Sequence, residues 1–475
     1  MAMLSPRRPT VIYALSLLVL FLPTAVAFVG YINARSTPLN GSARIGAGCV
    51  ACAAKKAKVK AKKRSGGGGG AGIKGFGSSA PSASMSSSSS KSKSSSPAPA
   101  AKIDRSKSAM GLYSYLERNG AGPNLKRVAL AQFPISDDGS ATIRGVVAQR
   151  DIRKGEDIIN VPYELAMNLG RESSDPTLPA VVLLREYCGC MSSSSSVTTA
   201  GAGTEGGGAD RDDGPYMVML PEFLGEDCLG STDFFSDDEL EALQSPLVVE
   251  ETLTRRSMTA SRYQQDVKPI SDDAENIYLW IDGTPITEEH LRWAVWLITS
   301  RVLTVQGAEG TGDSYRLMIP LIDMCNHDRS SPHVLTGRAA SGGSLRVVAG
   351  RNINRGEQIN ICYGGGVAGN DRFVQDYGFL DTFDDGTAFD LVAKVLSGKS
   401  RVREAGLGGK AIMREDDRLR ALEALRKTTV QEDKDLLCDG DLNAATKAAV
   451  EYRLGMKYAL ERLGIALRKP TEDIM

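Results

Sequence analysis

The segment from Leu321 to Phe379 constrains the fold more than any other part of this 475-residue chain. Glycines interrupt this segment repeatedly. Polar side chains that can form hydrogen bonds follow its short apolar runs. Along the chain it reads Asp323-Met324-Cys325-Asn326-His327, then Gly356-Glu357-Gln358-Ile359, Tyr363-Gly364, Asn370 and Tyr377-Gly378-Phe379. Glycine lets the backbone approach a ligand closely. The glycines beside Tyr363 and Tyr377 therefore favour a functional role for these two tyrosines.

The order and spacing of these motifs resemble the catalytic half of a SET-domain methyltransferase, specifically of the Rubisco large-subunit lysine methyltransferase-like class. The resemblance covers most of residues 109–379. It implies an α+β fold with small β-sheets, a knot-like active site, an inserted helical region and a helical C-terminal domain. In that active site the DxxNH segment threads beneath a loop that carries the tyrosines. The implied boundaries are 109–383 for the SET domain and 384–475 for a helical, substrate-binding-like domain.

The resemblance also implies S-adenosylmethionine as the cofactor and a protein substrate that presents a lysine side chain. Tyr363 and Tyr377 would be the catalytic residues, and Tyr363 would also contact the cofactor. Asn326 would hydrogen-bond the amino-acid portion of the cofactor, and His327 would contribute backbone contacts near the adenine. Phe379 would stack on the adenine ring.

Two arginines complete the implied cofactor site. Arg301 matches a position where relatives place an arginine near the cofactor carboxylate, and the forked guanidinium suits a carboxylate. Arg144 lies in a turn where relatives carry a GxG-type sequence, but this chain has Ile143 in place of the first glycine. Backbone amides can still donate there, although the close approach that glycine allows is lost. Asp323 is expected to shape its turn, and Asn370 to cap a helix.

Transfer of a methyl group to lysine requires a neutral amine. The ordinary lysine pKa is about 10.4, so the amine must lose its proton through desolvation or hydrogen bonding to the neutral form. A dry site lined by tyrosines and free of a permanently charged acid meets that requirement. We therefore interpret the chain as a protein-lysine N-methyltransferase that acts by direct in-line attack of the amine, with Rubisco large subunit or an aldolase as the implied substrate class.

Two alternatives stay open at this point. Some relatives methylate a protein histidine, and the sequence alone does not identify the pocket residues that would decide between the acceptors. A second alternative is a catalytically weak SET-fold protein that serves as a protein-interaction module. Ile143, in the expected cofactor turn, is the feature that favours this second alternative.

The N-terminus has the character of targeting signals. The first 103 residues contain no Asp or Glu, although the whole chain has 57 acidic and 57 basic residues. An apolar run from Val11 to Leu22 precedes the small-x-small pattern Ala25-Val26-Ala27, which is typical of a signal peptide. We interpret residues 1–27 as a signal peptide, and residues 28–108 as a transit peptide with a disordered low-complexity linker. This bipartite leader predicts the plastid stroma, with the secretory pathway as the alternative.

Composition narrows the remaining function classes. The basic leader lacks the interleaved aromatic residues of a single-strand nucleic-acid surface, so no nucleic-acid partner is expected. The eight cysteines form no regular framework, and neither they nor the three histidines group into a metal site. We expect no metal, no stable membrane anchor after processing, and a monomer.

Periodicity predicts the local structure. A flexible loop is expected at 192–214, because that insertion is rich in Ser and Gly. Residues 146–158 closely resemble residues 347–359, which predicts two similar hairpins. The predicted strands are 128–133, 142–149, 157–161, 359–363 and one around 389–392. The predicted helices begin with a capping box at Ser236 to Glu239 and continue at 287–305, 416–427 and 442–467.

Overall fold

The structure is a computed structural model that describes residues 101–135, 141–193, 213–271, 279–366, 368–381, 387–398, 414–438, 442–465 and 467. The predicted signal peptide and most of the predicted leader and linker lie outside these residues, as does 194–212 of the predicted loop. The edges of both predictions need correction. Residues 102–103 pair with the first sheet and a helix begins at Lys107, while a helix continues to Ser193 and another begins at Gly214.

Three small sheets form the β part of the described structure. Their strand orders are β1-β2-β3-β11-β8, β4-β10-β9 and β5-β7-β6. Neighbours are antiparallel except β8 and β11, which are parallel. The strands are β1 (Lys102–Ile103), β2 (Val128–Pro134), β3 (Thr142–Ala148), β4 (Asp157–Pro162), β5 (Met167–Arg171), β6 (Leu303–Gln306), β7 (Ser314–Met318), β8 (Asn326–His327), β9 (Val334–Gly337), β10 (Ser344–Val348) and β11 (Gln358–Ile361).

Helices make up most of the remaining described structure. Short 3-10 or π turns lie at 122–126, 163–165, 232–234, 263–267, 364–366 and 373–377. The α-helices are α1 (Lys107–Arg118), α2 (Thr177–Ser193), α3 (Gly214–Met217), α4 (Glu226–Leu229), α5 (Asp237–Ala242), α6 (Pro246–Arg262), α7 (Lys268–Ser271), α8 (Glu288–Arg301), α9 (Asn370–Arg372), α10 (Thr387–Leu396), α11 (Glu415–Leu425), α12 (Val430–Cys438) and α13 (Ala444–Arg462).

The two similar sequences interlock instead of forming separate hairpins, so that prediction was wrong. Strand β3 of the first copy pairs with β11 of the second, and β10 of the second pairs with β4 of the first. Ile152 and Ile353 occupy matching positions, form a bridge with each other and are both buried. The links between the strands exchange matching backbone bonds as well, because Gly155 donates to Ala349 and Gly356 donates to Ala148, each at 2.8 Å.

The helical region inserted between the two copies begins as the sequence predicts and ends differently. The capping box at Ser236 and Glu239 is present at the start of α5. Helix α8 ends at Arg301, not at 305, because Val302 is extended and the next residues enter β6. Leu303 and Val305 are buried at a spacing of two and pair with β7. Pairing in the sheet therefore overrides the helical spacing of these apolar residues.

The C-terminal helices pack against the inserted region around a second apolar core. Helices α11 and α13 confirm the two predicted amphipathic runs, and α12 lies between them without having been predicted. The predicted strand around 389–392 is wrong, because these residues belong to α10. Phe389, Val392 and Leu396 lie on one face of that helix and join the second core with Tyr452. The described residues thus form an α+β fold with small sheets, an inserted helical region and C-terminal helices, which confirms the predicted fold class.

Candidate active site

A cavity of about 660 Å³ opens where the first sheet meets the inserted region and the turn that follows α9. Six of the seven residues that the sequence identifies as site residues line it: Arg144, Arg301, Asn326, Tyr363, Tyr377 and Phe379. Further lining residues come from the inserted region, including Val218, Leu220, Pro221, Glu222, Glu226 and Asp227. The volume lies within the range of about 300 to 1,000 Å³ that is usual for small-molecule sites.

Asn326 is held at the floor of this cavity by strand pairing. The parallel pair β8 and β11 sets Asn326 opposite Asn360, and the Asn326 side chain donates from Nδ2 to the carbonyl of Arg144 at 3.0 Å. Gly145 makes this possible: a Cβ there would lie 2.7 Å from Asn326 Nδ2 and 2.7 Å from Gln358 Nε2. A larger residue at position 145 would therefore displace the amide that faces the cavity.

Tyr363 joins the cavity to the DxxNH segment. Its hydroxyl donates to the carbonyl of Cys325 at 2.6 Å, and its backbone N–H donates to Nδ1 of His327 at 3.0 Å. Burial raises the pKa of the Tyr363 hydroxyl well above its ordinary value of 10. The phenol therefore remains neutral at physiological pH, and its proton is directed at a backbone oxygen.

Tyr377 and Phe379 extend the aromatic wall. The rings of Tyr363 and Tyr377 lie 4.9 Å apart between centroids, and those of Tyr377 and Phe379 lie 6.1 Å apart. Gly378, between them, has a φ of +80°, a left-handed conformation that glycine adopts without strain. Burial raises the pKa of Tyr377 well above 10. Among the described residues its hydroxyl has no hydrogen-bond partner.

Arg144, Arg301 and Asp323 form one charged part of the cavity lining. Arg301 donates to the backbone carbonyl of Asp323 at 3.0 Å and lies 3.8 Å from its carboxylate. Arg144 donates to the carbonyl of Met219 at 2.5 Å. Burial raises the pKa of Asp323 to about 6, partly offset by Arg301. The Tyr216 hydroxyl also donates to the Asp323 carboxylate, at 2.6 Å.

Residues 360–363 lie against the DxxNH segment, because Asn360 and Ile361 pair with Asn326 and His327. Arg329 extends this contact: its guanidinium donates to the carbonyls of Gly366 and Ala368 at 2.8 and 2.7 Å and to the carboxylate of Asp381 at 2.6 Å. The Arg329 and Asp381 side chains are 8% and 1% exposed. The ion pair is therefore shielded from water, and it fixes the two segments against each other.

His327 is not among the residues that line the cavity; its side chain is buried between Tyr363 and Phe373, and its Nε2 lies 3.4 Å from Asp381. Its backbone contact near the adenine stays a prediction. The predicted role of Asn370 as a cap needs correction. Asn370 is the first residue of α9 and not its cap, which is Gly369. The Asn370 amide instead exchanges two hydrogen bonds with the backbone of Asp381. An asparagine amide can either cap a helix or bond to a distant backbone, so the sequence alone does not distinguish these two roles.

Two contacts near the site were not predicted, Tyr216 to Asp323 and Arg329 to Asp381. Each links segments far apart in the chain, so no local pattern indicates it. The acidic lining residues Glu222, Glu226 and Asp227 were not predicted either. Among the described residues, no group of three His, Cys, Asp or Glu side chains could hold a metal ion. Within the same part of the chain, no helix is long and apolar enough to cross a membrane.

Comparison with known proteins identifies the class of the folded region. Residues 143–364 match the family model described as the SET domain. This part of the chain is therefore a SET domain, which confirms the family recognised from the motifs.

Its similar proteins include actin-histidine N-methyltransferases. The human protein is 27% identical over 321 residues, which cover 52% of this chain and 51% of the relative. The protein of Rhinolophus ferrumequinum is 32% identical over 190 residues, which cover 39% of this chain and 29% of that relative. The chain thus spans about half the length of the human relative and less than a third of the other. Among solved structures, the SET domain of LSMT bound to lysine and AdoHcy has a TM-score of 0.46 and 17% identity, covering 75% of this chain and 89% of that one.

Proposed function

We propose that this protein transfers a methyl group from S-adenosylmethionine to a side-chain nitrogen of a protein substrate, and that the acceptor is lysine. One observation carries the proposal: Asn326 and Tyr363, from the region that matches the SET domain, and Tyr377 and Phe379, which follow it, converge on one cavity of about 660 Å³. These are the amide, hydroxyl and aromatic groups that the chemistry requires.

The residues of the cavity fit the cofactor. The Asn326 amide lines the cavity and, among the described residues, leaves one Nδ2 hydrogen and its Oδ1 without a partner, which suits an amino-acid group. Arg301, 18% exposed at its side chain, uses one N–H on Asp323, so the rest of its guanidinium is able to bind a carboxylate. Phe379 presents an aromatic face. Ile143 is 42% exposed and also lines the cavity, so the departure from glycine narrows the site without closing it.

When bound, the cofactor supplies an electrophilic methyl group on sulfur. The protein's own part is to orient the acceptor nitrogen and to keep it unprotonated. The Tyr363 hydroxyl donates its hydrogen bond to the carbonyl of Cys325, so its oxygen can accept a hydrogen bond from an amine. The Tyr377 hydroxyl, which has no partner in the part of the chain that the structure describes, can accept a second hydrogen bond. Aromatic walls disfavour the ammonium form and lower the amine pKa, so proximity and desolvation supply most of the acceleration.

The choice between lysine and histidine follows from different observations. Two neutral tyrosine hydroxyls on neighbouring rings suit a slender primary amine, which carries two N–H donors. The similarity to actin-histidine N-methyltransferases favours histidine as the second candidate. An imidazole ring offers only one N–H when neutral, so it would leave one of the two hydroxyls without a donor.

The test is a labelling experiment with the full chain. The protein is incubated with S-adenosylmethionine labelled in its methyl group and with plastid stromal extract or purified actin, and the labelled proteins are hydrolysed to amino acids. Labelled methyl-lysine supports the proposal, and labelled methylhistidine supports the second candidate. Absence of both label and cofactor binding by calorimetry would instead favour an interaction module.

We further propose the plastid stroma as the location and a plastid protein, such as Rubisco large subunit or an aldolase, as the substrate. The acid-free leader of residues 1–103 supports this proposal. Fusion of residues 1–108 to a fluorescent protein in an alga with complex plastids tests it. Fluorescence in the secretory pathway would contradict it. Light scattering during gel filtration tests the proposed monomer.

A further inference from the structure

The turn that carries Tyr377 is held by residues that do not line the cavity. This turn, at 373–377, closes with a bond from the N–H of Gly378 to the carbonyl of Phe373 at 2.9 Å. Carbonyls at the end of a helical turn lack partners within the turn and need donors from elsewhere. The carbonyl of Gln375 receives two such donors from the inserted region: Ser231 Oγ at 2.6 Å and Arg255 at 3.0 Å.

Arg255 is the centre of this support. It lies on α6, its side chain is 9% exposed, and its three nitrogens contact three different groups. Besides the carbonyl of Gln375, these are the carboxylate of Asp233 at 2.9 Å and the carboxylate of Asp376 at 2.6 Å. Two of the three groups belong to the residues directly before Tyr377. A planar guanidinium fixes such partners in direction as well as in distance.

The backbone of the inserted region also touches the turn directly. A Cβ on Gly230 would lie 2.3 Å from the carbonyl oxygen of Gly378, and one on Gly378 would lie 3.0 Å from the carbonyl oxygen of Asp227. Asp227 lines the cavity. A shift of the turn relative to the inserted region would therefore change both the Tyr377 side and the Asp227 side of the cavity.

We propose that Arg255 is a positioning residue for Tyr377, and that through it the inserted helical region sets the place of the Tyr377 hydroxyl in the cavity. The proposal deepens the proposed function and rests on it for the catalytic readout. Arg255 acts through the backbone of Gln375 and the carboxylate of Asp376. It does not line the cavity.

A double-mutant cycle in the full chain tests this role. The Arg255→Lys variant keeps the charge but reaches fewer of the three partners, so the single-turnover methyl-transfer rate should fall on the order of tenfold to a hundredfold, as expected for a displacement of about 1 Å. Cofactor affinity should change less than about threefold. In the Tyr377→Phe background the same substitution should have little further effect. An equal loss in both backgrounds would overturn the proposal.

Arg453→Lys is the matched control. Arg453 is also buried, at 7% side-chain exposure, and donates to the buried Asp433, but it lies on α13 outside the cavity. If Arg255→Lys merely lowered stability, the control would show the same loss of rate at an equal shift in melting temperature. We expect the control to retain the wild-type rate.

Amide hydrogen exchange provides a readout that needs no activity. In Arg255→Lys, the peptide that contains Gly378 should exchange at least about tenfold faster than in the wild type, while Arg453→Lys leaves it unchanged. Unchanged exchange in both variants would refute the positioning role even if the wild type transferred no methyl group. If Arg255→Lys does not fold, Ser231→Ala removes one donor from the same Gln375 carbonyl and carries the same two measurements.

Discussion

The two tyrosines of the cavity should respond differently to the same substitution, because within the described ranges only the Tyr363 hydroxyl has a hydrogen-bond partner. Tyr363→Phe removes the donor to the buried carbonyl of Cys325 at 2.6 Å. An unsatisfied buried acceptor costs about 1–3 kcal/mol. Tyr377→Phe removes a hydroxyl that has no partner among the described residues. Its effect on the free energy of unfolding should remain within about 0.5 kcal/mol.

Both substitutions should slow methyl transfer, on the order of a hundredfold if each hydroxyl orients the amine. The cofactor dissociation constant should change less than about threefold, because both rings remain in place. A melting temperature several degrees lower is expected for Tyr363→Phe alone, at roughly 2–4 °C per kcal/mol for a domain of this size.

Thermal unfolding, calorimetric cofactor binding and single-turnover transfer, measured on both variants, separate these effects. Equal destabilisation of the two variants would refute the assigned hydrogen bond of Tyr363. Transfer at the wild-type rate in either variant would remove that tyrosine from the mechanism, whatever its effect on stability.

Three further predictions concern affinity, stability and pH. Gly145→Ala should displace the Asn326 amide and weaken cofactor binding about tenfold, as measured by calorimetry. Arg329→Met should leave Asp381 buried without its main partner and cost about 3–5 kcal/mol in urea unfolding. Burial lowers the pKa of His290 to about 4 from 6.5. As pH falls, His290 is therefore protonated in the unfolded chain before it is protonated in the folded protein. The free energy of unfolding should keep its full value above pH 6.5 and fall by up to about 1.4 kcal/mol per pH unit as pH drops towards 4.

Each of these has a control within the chain. Gly189→Ala lies in open space on α2, so its cofactor affinity should equal that of the wild type, and a similar loss there would contradict the role of Gly145. Arg351→Met breaks the ion pair with Glu357, whose side chains are 49% and 30% exposed. It should therefore lower the free energy of unfolding by less than about 1 kcal/mol. His290→Gln keeps a capping side chain and should show a smaller decline in acid than the wild type. An identical decline would exclude His290 as its source.

Local chemistry in the sequence predicts much of the site. The DxxNH and tyrosine motifs lie in short segments whose order defines the family, and six of the seven predicted site residues line one cavity. The buried environment of Tyr363 and Tyr377 agrees with the aromatic, desolvated site that the chemistry of lysine requires. Their catalytic roles remain predictions until transfer is measured.

What the sequence does not predict is mostly long-range. The apolar residues around Phe389 have the composition of a strand, but they form a helix because one face packs on Tyr452 in α13. The similar segments at 146–158 and 347–359 predict their turns and strands correctly, but not that each copy pairs with the other. His290, on the helix predicted at 287–305, is buried against Trp280 and Phe223, which come from other segments of the chain.

The interlocked copies have a consequence for synthesis of the chain. Pro162 and Ser344 are directly paired, although about 180 residues separate them in the chain. Strand β3 can pair with β11 only after all of these residues have been synthesised. Long-range pairing of this kind slows folding. A nascent chain that ends before residue 358 carries β3 with one edge unpaired, an edge prone to self-association. We therefore expect the protein to need protection by chaperones until its tyrosine loop has left the ribosome.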